Sequence, residues 1–446
     1  MVRHVVTLLL GLLAAGCAPS PPNIVFVLAD DLGYGDLGCY GSTRISTPYL
    51  DRMAAEGTRF TQAYSAGPIC APTRCGVMTG LHTGHCTVRD NLSKRRGSRE
   101  ERIVPLRDED LTVAELLRAR GYATGGFGKW GLGTAGTAGS PQRQGFDEFF
   151  GYLDQRHASE PYSDHLYRND RQVEIAENRD GRRGRYLADL LFDEALSFIE
   201  RHRQGPFFLY LPTSLPHPPF QALDLGPYEA ADWRYAHRHY AAMVSHLDGQ
   251  VGRLLDRLDA LGLSERTVVF LSSDNGPEAL VREFFDSTAG LRGGKESLFE
   301  GALRVPMLVR WPGTVPAGSV SDAVWWQVDF LPTAAELAGA PVPPGLDGRS
   351  VADLLRGGRG TQSRTLYWEL HRPFLQAVRW GRWKGLRLAV TEPLQLYDLE
   401  ADPGETTDRA AEEPDVVARL EEILASSRSE SVHWPVRWRG GPRSGS

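Results

Sequence analysis

The stretch Asn23-Ile-Val-Phe-Val-Leu-Ala29, followed at once by Asp30-Asp31, decides the fold of this chain. Its nearly continuous apolar run predicts a strand that is buried on both faces, as in a parallel sheet covered by helices. The two carboxylates that follow lie at the carboxyl end of that strand, where open α/β sheets bind their ligands. The sequence therefore predicts an α/β protein with a site at this edge of the sheet.

Further strands and helices alternate along the chain. A helix is predicted with Thr47 as its N-cap, Pro48 as its first residue and Gly57 as its end. A second helix is predicted after Thr112, which forms a capping box with Glu115. Such alternation predicts a large, mostly parallel sheet flanked by helices. The other predicted elements are strands at about 122–127, 207–211, 267–272 and 305–310 and helices at about 186–202, 235–261 and 330–338.

The pattern changes past about residue 350. Short strands at about 364–368, 376–379 and 383–387 are separated by turns, and a helix follows at about 415–427. These features predict a small C-terminal domain over 351–446, with an antiparallel sheet, a helix and a frayed tail. The large domain is expected over 22–350.

Composition excludes some functions. The chain has 446 residues and a net charge of −6, which argues against nucleic acid as a partner. Its five cysteines are too few for a disulfide framework in a chain of this length. We expect Cys39, Cys75 and Cys86 to be free thiols, although a Cys75–Cys86 bridge stays open.

Residues 1–17 are typical of an export signal. A short basic lead precedes an apolar run from Val5 to Ala15, which is too short to span a bilayer. Leu13-Ala-Ala-Gly-Cys17 also resembles a bacterial lipobox, in which Cys17 is lipidated. We expect an exported protein in the periplasm or at the cell surface. Whether Cys17 carries a lipid that tethers it to the membrane stays open.

The most informative motif is Cys70-Ala-Pro-Thr-Arg74-Cys-Gly-Val-Met-Thr-Gly80. It resembles the maturation signal of the type I sulfatases. By that resemblance, a formylglycine-generating enzyme oxidises Cys70 to formylglycine, an aldehyde whose hydrate supplies the attacking hydroxyl. A sulfate ester needs such a nucleophile beside cations, because negative oxygens surround its sulfur. Taken alone, the motif also fits a small buried structural thiol.

A second acidic pair, Asp274-Asn275, directly follows the strand predicted at 267–272. One such pair can merely cap a turn, but two pairs at the ends of separate strands favour a metal site. Oxygen ligands without histidine or cysteine suit a hard cation such as Ca²⁺ or Mg²⁺ rather than zinc.

The resemblance to sulfatases extends over positions 23 to about 313, in family order. It is carried by the stretches Asn23 to Gly41, Ser272 to Gly276, Leu291 to Lys295 and Glu300 to Pro306. It implies a fold of the alkaline phosphatase superfamily. By this resemblance one divalent ion, usually Ca²⁺ with Mg²⁺ less favoured, binds Asp30, Asp31, Asp274, Asn275 and the formylglycine made from Cys70. The implied catalytic groups are Arg74, Lys129 and Lys295, which hold the nucleophile and the sulfate oxygens, and His217, which protonates the departing alcohol.

One position departs from the family. The chain reads Gly128-Lys-Trp-Gly131-Leu-Gly133, where sulfatases usually read Gly-Lys-Trp-His-Leu-Gly. The missing histidine normally takes a proton from the second hydroxyl of the hydrate. We predict that His157 replaces this histidine. An equal alternative is that His157 is only an exposed histidine of a loop.

The resemblance implies a sulfatase, and a pocket walled by two domains favours a sulfated saccharide as its substrate. The candidate substrate contacts are Tyr162, His165, Trp368, Glu369, His371 and Arg372. Trp368 could instead be core of the small sheet. Two other functions stay open: a phosphonate or phosphate ester hydrolase of the same fold, and a catalytically silent glycan-binding protein.

Overall fold

The computed structural model describes residues 21–94, 101–358, 360 and 364–436. The predicted signal segment at residues 1–17, with Cys17, and the end of the predicted tail lie outside these ranges. In the described part of the chain, no helix is both long and apolar enough to cross a membrane.

The strands and helices have the following bounds. The strands are β1 Asn23–Ala29, β2 Thr58–Phe60, β3 Ala63–Tyr64, β4 Ser93–Lys94, β5 Glu101–Arg102, β6 Ala123–Lys129, β7 Glu148–Tyr152, β8 His165–Arg168, β9 Arg171–Glu174, β10 Phe207–Pro212, β11 Thr267–Ser273, β12 Met307–Arg310, β13 Ser319–Ser321, β14 Trp325–Trp326, β15 Thr365–His371, β16 Phe374–Trp380, β17 Trp383–Arg387 and β18 Gln395–Asp398. The helices are α1 Pro48–Ala55, α2 Cys70–Thr79, α3 Val113–Ala119, α4 Leu187–His202, α5 Tyr235–Ala260, α6 Ala279–Phe285, α7 Glu300–Leu303, α8 Phe330–Leu337, α9 Ala352–Leu355 and α10 Pro414–Ser426.

The main sheet has ten strands in the order β13-β2-β12-β11-β1-β10-β6-β7-β8-β9. The central strands β11, β1, β10, β6 and β7 are parallel, whereas β12 and β8 pair antiparallel with their central neighbours. The predicted large, mostly parallel sheet is therefore confirmed. Ala29 of β1 is in register with Ser273 of β11, so the acidic pairs that follow these strands begin side by side.

Helices cover both faces of the sheet, as expected for a strand buried on both sides. Val25 and Val27 of β1 point into a core cluster with α4 and α5. Ile24, Phe26 and Leu28 alternate with them and pack in a second cluster with α3 and α8. This double burial fixes the position of β1, and with it the position of Asp30.

The second sheet is the antiparallel meander β15-β16-β17-β18, which packs with α10. The predicted small antiparallel sheet with a helix is confirmed. It joins the rest of the molecule through a shared apolar cluster that includes Tyr64, Trp326 and Trp368. The Trp368 indole Nε1 donates to the carbonyl oxygen of Ser65 at 2.8 Å.

Local capping was predicted with mixed success. The Thr112–Glu115 capping box is present in full, and α3 begins directly after Thr112. Thr47 precedes α1, but its hydroxyl makes no cap on the helix. It accepts instead from the Gly38 N–H and donates to Asp51, so its role as a cap is corrected. Cys39, Cys70, Cys75 and Cys86 are free thiols in the described structure.

Candidate active site

Cys70 is the first residue of α2 and is 1% exposed. Asn91 holds this helix start, because its Oδ1 accepts from the Ala71 N–H at 2.9 Å. The thiol Sγ lies 3.4 Å from Asp30 Oδ1. Burial raises the pKa of the Cys70 thiol well above its ordinary value, although Lys129 opposes this. The thiol is thus protonated near neutral pH and is itself a poor nucleophile.

The two acidic pairs meet at the carboxyl edge of β1 and β11. Asp30, Asp31, Asp274 and Asn275 are all fully buried. The backbone N–H of Asp31 donates to Asp274 Oδ1 at 3.2 Å, and Asn275 Nδ2 donates to Asp31 Oδ1 at 2.7 Å. The amide oxygen of Asn275 is buried without a hydrogen-bond partner in the described structure. An unpaired acceptor among carboxylates is the arrangement expected where a cation binds.

Three bases balance these acids. Lys129 Nζ lies 2.6 Å from Asp30 Oδ2, and Arg74 Nη2 lies 2.9 Å from Asp274 Oδ2. Lys295 Nζ lies 2.7 Å from Asp31 Oδ2. The structure therefore brings together the three bases that the resemblance to sulfatases implied for this site.

The carboxylates of this cluster differ in pKa, although each of them pairs with a base. Burial raises the pKa of Asp30, but Lys129, His217, Arg74 and Lys295 outweigh it and hold that pKa well below its usual range. Burial and the neighbouring Asp30 carboxylate raise the pKa of Asp274 to about 7, although Arg74 opposes them. The cluster can therefore accept more positive charge at Asp274.

His217 reaches the same cluster from the loop after β10. Its Nδ1 contacts the carbonyl oxygen of Pro218, and its Nε2 lies 3.7 Å from Asp31 Oδ2. The carbonyl oxygen accepts a hydrogen bond from the Nδ1–H, which leaves Nε2 facing the acids. Burial lowers the pKa of His217, whereas Asp30 and Asp31 favour its protonated form.

These residues suit a hard divalent cation. Asp30, Asp31, Cys70 and His217 each offer one ligand atom, and these atoms lie within 4.8 Å of one another. The carboxylate oxygens and the unpaired amide oxygen of Asn275 are the donors that Ca²⁺ and Mg²⁺ prefer. On this donor chemistry the predicted metal ligands fit the ion.

His157 lies in the short helical turn after β7. Its Nε2 is 2.8 Å from Ser163 Oγ and 3.1 Å from the carbonyl oxygen of His165, and its ring stacks on that of His165. None of the contacts described for His157 joins the buried cluster around Cys70. The side chain beside Gly131 is instead Gln155, which the sequence analysis missed. The unusual glycine at 131 was its only signal.

The predicted substrate contacts fall into two groups. Trp368 and Glu369 are fully buried, and Glu369 pairs with Arg89 at 3.2 Å. A buried indole offers no face to a sugar, so the core alternative holds for Trp368. We drop Trp368 and Glu369 from the candidate substrate contacts.

Three of the other four candidates line cavities. His371 and Arg372 line a cavity of about 520 Å³ that also includes Asp90, the neighbour of Asn91. Tyr162 lines a cavity of about 310 Å³ with Pro219, which lies two residues beyond His217. The fourth candidate, His165, does not line either of these two cavities, and its Nδ1 lies 2.7 Å from Asp164 Oδ1.

Comparison with known families gives two matches. A model of the sulfatase family matches residues 22–340. A model of the C-terminal region of N-sulphoglucosamine sulphohydrolase matches residues 294–430, which include the small sheet.

Individual relatives agree with these matches. Arylsulfatase A of Homo sapiens is 33% identical over 94% of this chain and 90% of its own length. N-acetylgalactosamine-6-sulfatase of Canis lupus familiaris is 36% identical over 84% of this chain and 73% of its own. The solved structure of Ps i-CgsB in complex with k-i-k-neocarrahexaose superposes with a TM-score of 0.80 at 30% identity, covering 94% of this chain and 95% of the other.

Proposed function

The chain belongs to the sulfatase family and is a sulfuric ester hydrolase, and from that premise we propose that it removes sulfate from a saccharide. The observation that carries the proposal is the buried cluster at the edge of the main sheet. There, Cys70 lies among two acidic pairs, three bases and His217. Sulfuryl transfer needs a nucleophile position, positive charge and a proton donor in one buried site.

The proposed nucleophile is residue 70 after its oxidation by a maturation enzyme. A protonated, buried thiol reacts poorly, so the unmodified Cys70 does not explain catalysis. Formylglycine at this position would supply a hydroxyl of its hydrate for attack on sulfur. Arg74 and Lys129 are already held there by ion pairs with Asp274 and Asp30.

The bases bind and orient the sulfate group. Lys129, Lys295 and Arg74 place positive charge where the non-bridging oxygens gain negative charge during sulfuryl transfer. Because all three are buried, little water screens their charge.

His217 carries the proton for the departing alcohol. Since Nδ1 donates to the Pro218 carbonyl, a proton on Nε2 requires the imidazolium form. The carboxylates of Asp30 and Asp31 favour that form against the effect of burial. The proton passes from Nε2 to the ester oxygen as the sulfur–oxygen bond breaks. That His157 acts as the second base and assists sulfate release stays a prediction. Its contacts with Ser163 and His165 do not favour that role.

We assign Asp30, Asp31, Asp274 and Asn275, with residue 70, as the ligands of one divalent cation, Ca²⁺ before Mg²⁺. When bound, the ion supplies positive charge that lowers the cost of collecting negative oxygens in a buried site.

A saccharide is the substrate we favour, for two reasons. Proteins similar to this chain include a sulfatase named for N-acetylgalactosamine and a solved structure named for a neocarrahexaose complex. Two cavities also include residues that are close in sequence to the cluster. The cavity at His371 and Arg372 includes Asp90, next to Asn91, and the cavity at Tyr162 includes Pro219, two residues beyond His217. We further propose that residues 1–17 direct export to the periplasm or cell surface.

A substrate panel tests the proposal. Purified enzyme is assayed on sulfated mono- and disaccharides, on a simple aryl sulfate and on a phosphonate ester. We expect the highest kcat/KM on a sulfated sugar. Efficient hydrolysis of the aryl ester with none on any sugar contradicts the saccharide assignment, and a preference for the phosphonate favours the alternative hydrolase.

The state of residue 70 needs a separate measurement. Mass spectrometry of the peptide that contains it, taken from active enzyme, is expected to show oxygen in place of sulfur. A plain thiol in active enzyme contradicts the formylglycine mechanism.

A further inference from the structure

The segment between β9 and α4 is rich in arginine. It carries four arginines in the seven residues 179–185, which read Arg-Asp-Gly-Arg-Arg-Gly-Arg. The first and the last of these arginines pair with the carboxylates of Glu174 and Asp193. Arg182 and Arg183 are exposed, and neither pairs with a carboxylate in the described part of the chain. The segment therefore presents two guanidinium groups whose positive charge is not neutralised by a described neighbour.

Both guanidinium groups are held in place by groups that carry no full charge. Arg182 Nε donates to the carbonyl oxygen of Arg179 at 3.0 Å, and its Nη2 donates to the carbonyl oxygen of Ala176 at 2.8 Å. The guanidinium of Arg183 lies 5.5 Å from the centre of the Tyr162 ring, a contact that stabilises a cation. These contacts orient the two arginines and leave their positive charge available to a ligand.

The two arginines line the cavity of about 310 Å³ that also contains Tyr162 and Pro219. A cavity of this size lies in the range of small-molecule sites. Glu160 is the one carboxylate among the described residues that line it, so the arginines outnumber the acids. The cavity is therefore suited to an anionic ligand, and Glu160 opposes such a ligand.

The side on which this cavity lies indicates which part of a substrate enters it. In the proposed function, Lys129 and Arg74 bind the sulfate group and His217 protonates the departing alcohol. The alcohol is the sugar itself, so the sugar lies on the His217 side of the sulfur. Pro219, two residues beyond His217, is a wall of the cavity. The sugars next to the sulfated unit are therefore expected on the side of this cavity.

We propose that Arg182 and Arg183 bind a second anionic group, a sulfate or a carboxylate, on the sugar next to the one that loses its sulfate. This inference rests on the function proposed above, and it adds that the substrate is an oligosaccharide with more than one negative charge. Guanidinium groups suit this role, because their planar arrangement of N–H donors pairs with two oxygens of one anion.

The test compares two substrates that differ only in the second anionic group. One is a disaccharide that carries a single sulfate and no other charge, and the other has a second sulfate on the neighbouring sugar. We expect the wild type to have the lower KM for the doubly sulfated substrate. In Arg182→Gln/Arg183→Gln this KM should rise about fivefold at low ionic strength, near the upper end for an exposed ion pair. Salt should reduce the difference, and the KM of the singly sulfated disaccharide should not change.

Two further variants sharpen the test. Glu160→Gln removes the opposing carboxylate and should lower the KM of the doubly sulfated substrate by about twofold, which is the opposite sign. Arg118→Gln/Arg120→Gln is the matched control, because it removes the same charge from exposed positions at the end of α3 that do not line this cavity. The control should change neither KM.

The outcomes keep this inference separate from the proposed function. If the wild type hydrolyses both substrates with equal KM, or if the arginine variant raises both KM values equally, the inference is wrong. If the wild type hydrolyses neither substrate, its binding of the doubly sulfated disaccharide is measured by calorimetry. Weaker binding in the arginine variant then shows that the anion site stands while the proposed function fails, and no binding to the wild type overturns both.

Discussion

Two buried clusters of charge in this molecule are built differently. One is the cluster around Cys70, and the other is the seam between the small sheet and the main body, centred on Glu369. At the seam, Glu369 meets Arg89, Arg428 and His371 at 3.2, 3.0 and 2.8 Å. Around Cys70, by contrast, an amide oxygen of Asn275 has no partner in the described structure.

The pKa values reflect the same difference. At the seam, burial raises the pKa of Glu369, but His371, Arg89 and Arg428 outweigh it and hold the pKa at about 2. In the cluster around Cys70, burial and Asp30 raise the pKa of Asp274 to about 7. A fully paired cluster stabilises the fold, whereas an incompletely neutralised one is arranged for something that binds. Substitutions in the two clusters should therefore separate stability from activity.

The largest effect is expected from Asp31→Asn. This change keeps the shape of the side chain but removes one of the proposed metal-binding carboxylates, and Lys295 keeps Glu278 as a partner at 2.9 Å. We expect kcat/KM to fall at least about a hundredfold and the bound divalent cation, measured by elemental analysis, to be lost. The unfolding temperature should not fall. Asp189→Asn, a carboxylate that pairs with His246 between α4 and α5, is the matched control and should keep both activity and metal.

A substitution at the seam should lower stability and leave activity unchanged. Arg89 is 2% exposed, pairs with Glu369 and also donates to Ser429 Oγ at 2.9 Å. Arg89→Met leaves part of the buried carboxylate uncompensated, which costs about 3–5 kcal/mol of folding free energy. Denaturant unfolding measures this loss, and kcat per folded molecule should stay within about twofold of the wild type. Loss of turnover in a fully folded variant would show that the seam is part of the active site.

Acid should weaken the seam through Glu369. The pKa of this group is lowered from about 4.5 in the unfolded chain to about 2, so the unfolded state takes up its proton first. Its contribution is complete above pH 4.5 and is lost as the pH falls through 2, by about 3 kcal/mol in total. Unfolding measured between pH 5 and 2 should show a flatter dependence in Glu369→Gln. Equal slopes in the two proteins would mean that the group is not held ionised.

The sequence predicted those features that local patterns determine. The apolar run at β1 and the Thr112–Glu115 capping box depend on neighbours along the chain, and both are present. The acidic pairs met because parallel strands bring their carboxyl ends to one edge.

Features that depend on distant packing could not be predicted. The sequence of β15 does not reveal that Ser65 and Tyr64 contact Trp368. These contacts make Trp368 part of the core, so that it does not stack on a sugar. The position of Gln155 depends on how far β6 and β7 stay paired. The sequence marked the unusual Gly131 but suggested His157 as its partner, two residues from the side chain that lies there.

The smallest effect is expected for an ion pair that is partly exposed to water. Its coupling energy is a reference value against which the two buried clusters can be compared. Arg168 and Glu194 pair at 2.9 Å with side chains that are 44% and 27% exposed. Solvent screens such a pair, so a double-mutant cycle of Arg168→Ala and Glu194→Ala should give a coupling below about 1 kcal/mol and unchanged kcat. Arg168→Ala alone should cost more than Glu194→Ala, because the guanidinium also lies 4.2 Å from the centre of the Phe150 ring. A coupling of about 3 kcal/mol, as large as the loss expected for Arg89→Met, would mean that burial does not explain the difference between the surface and the seam.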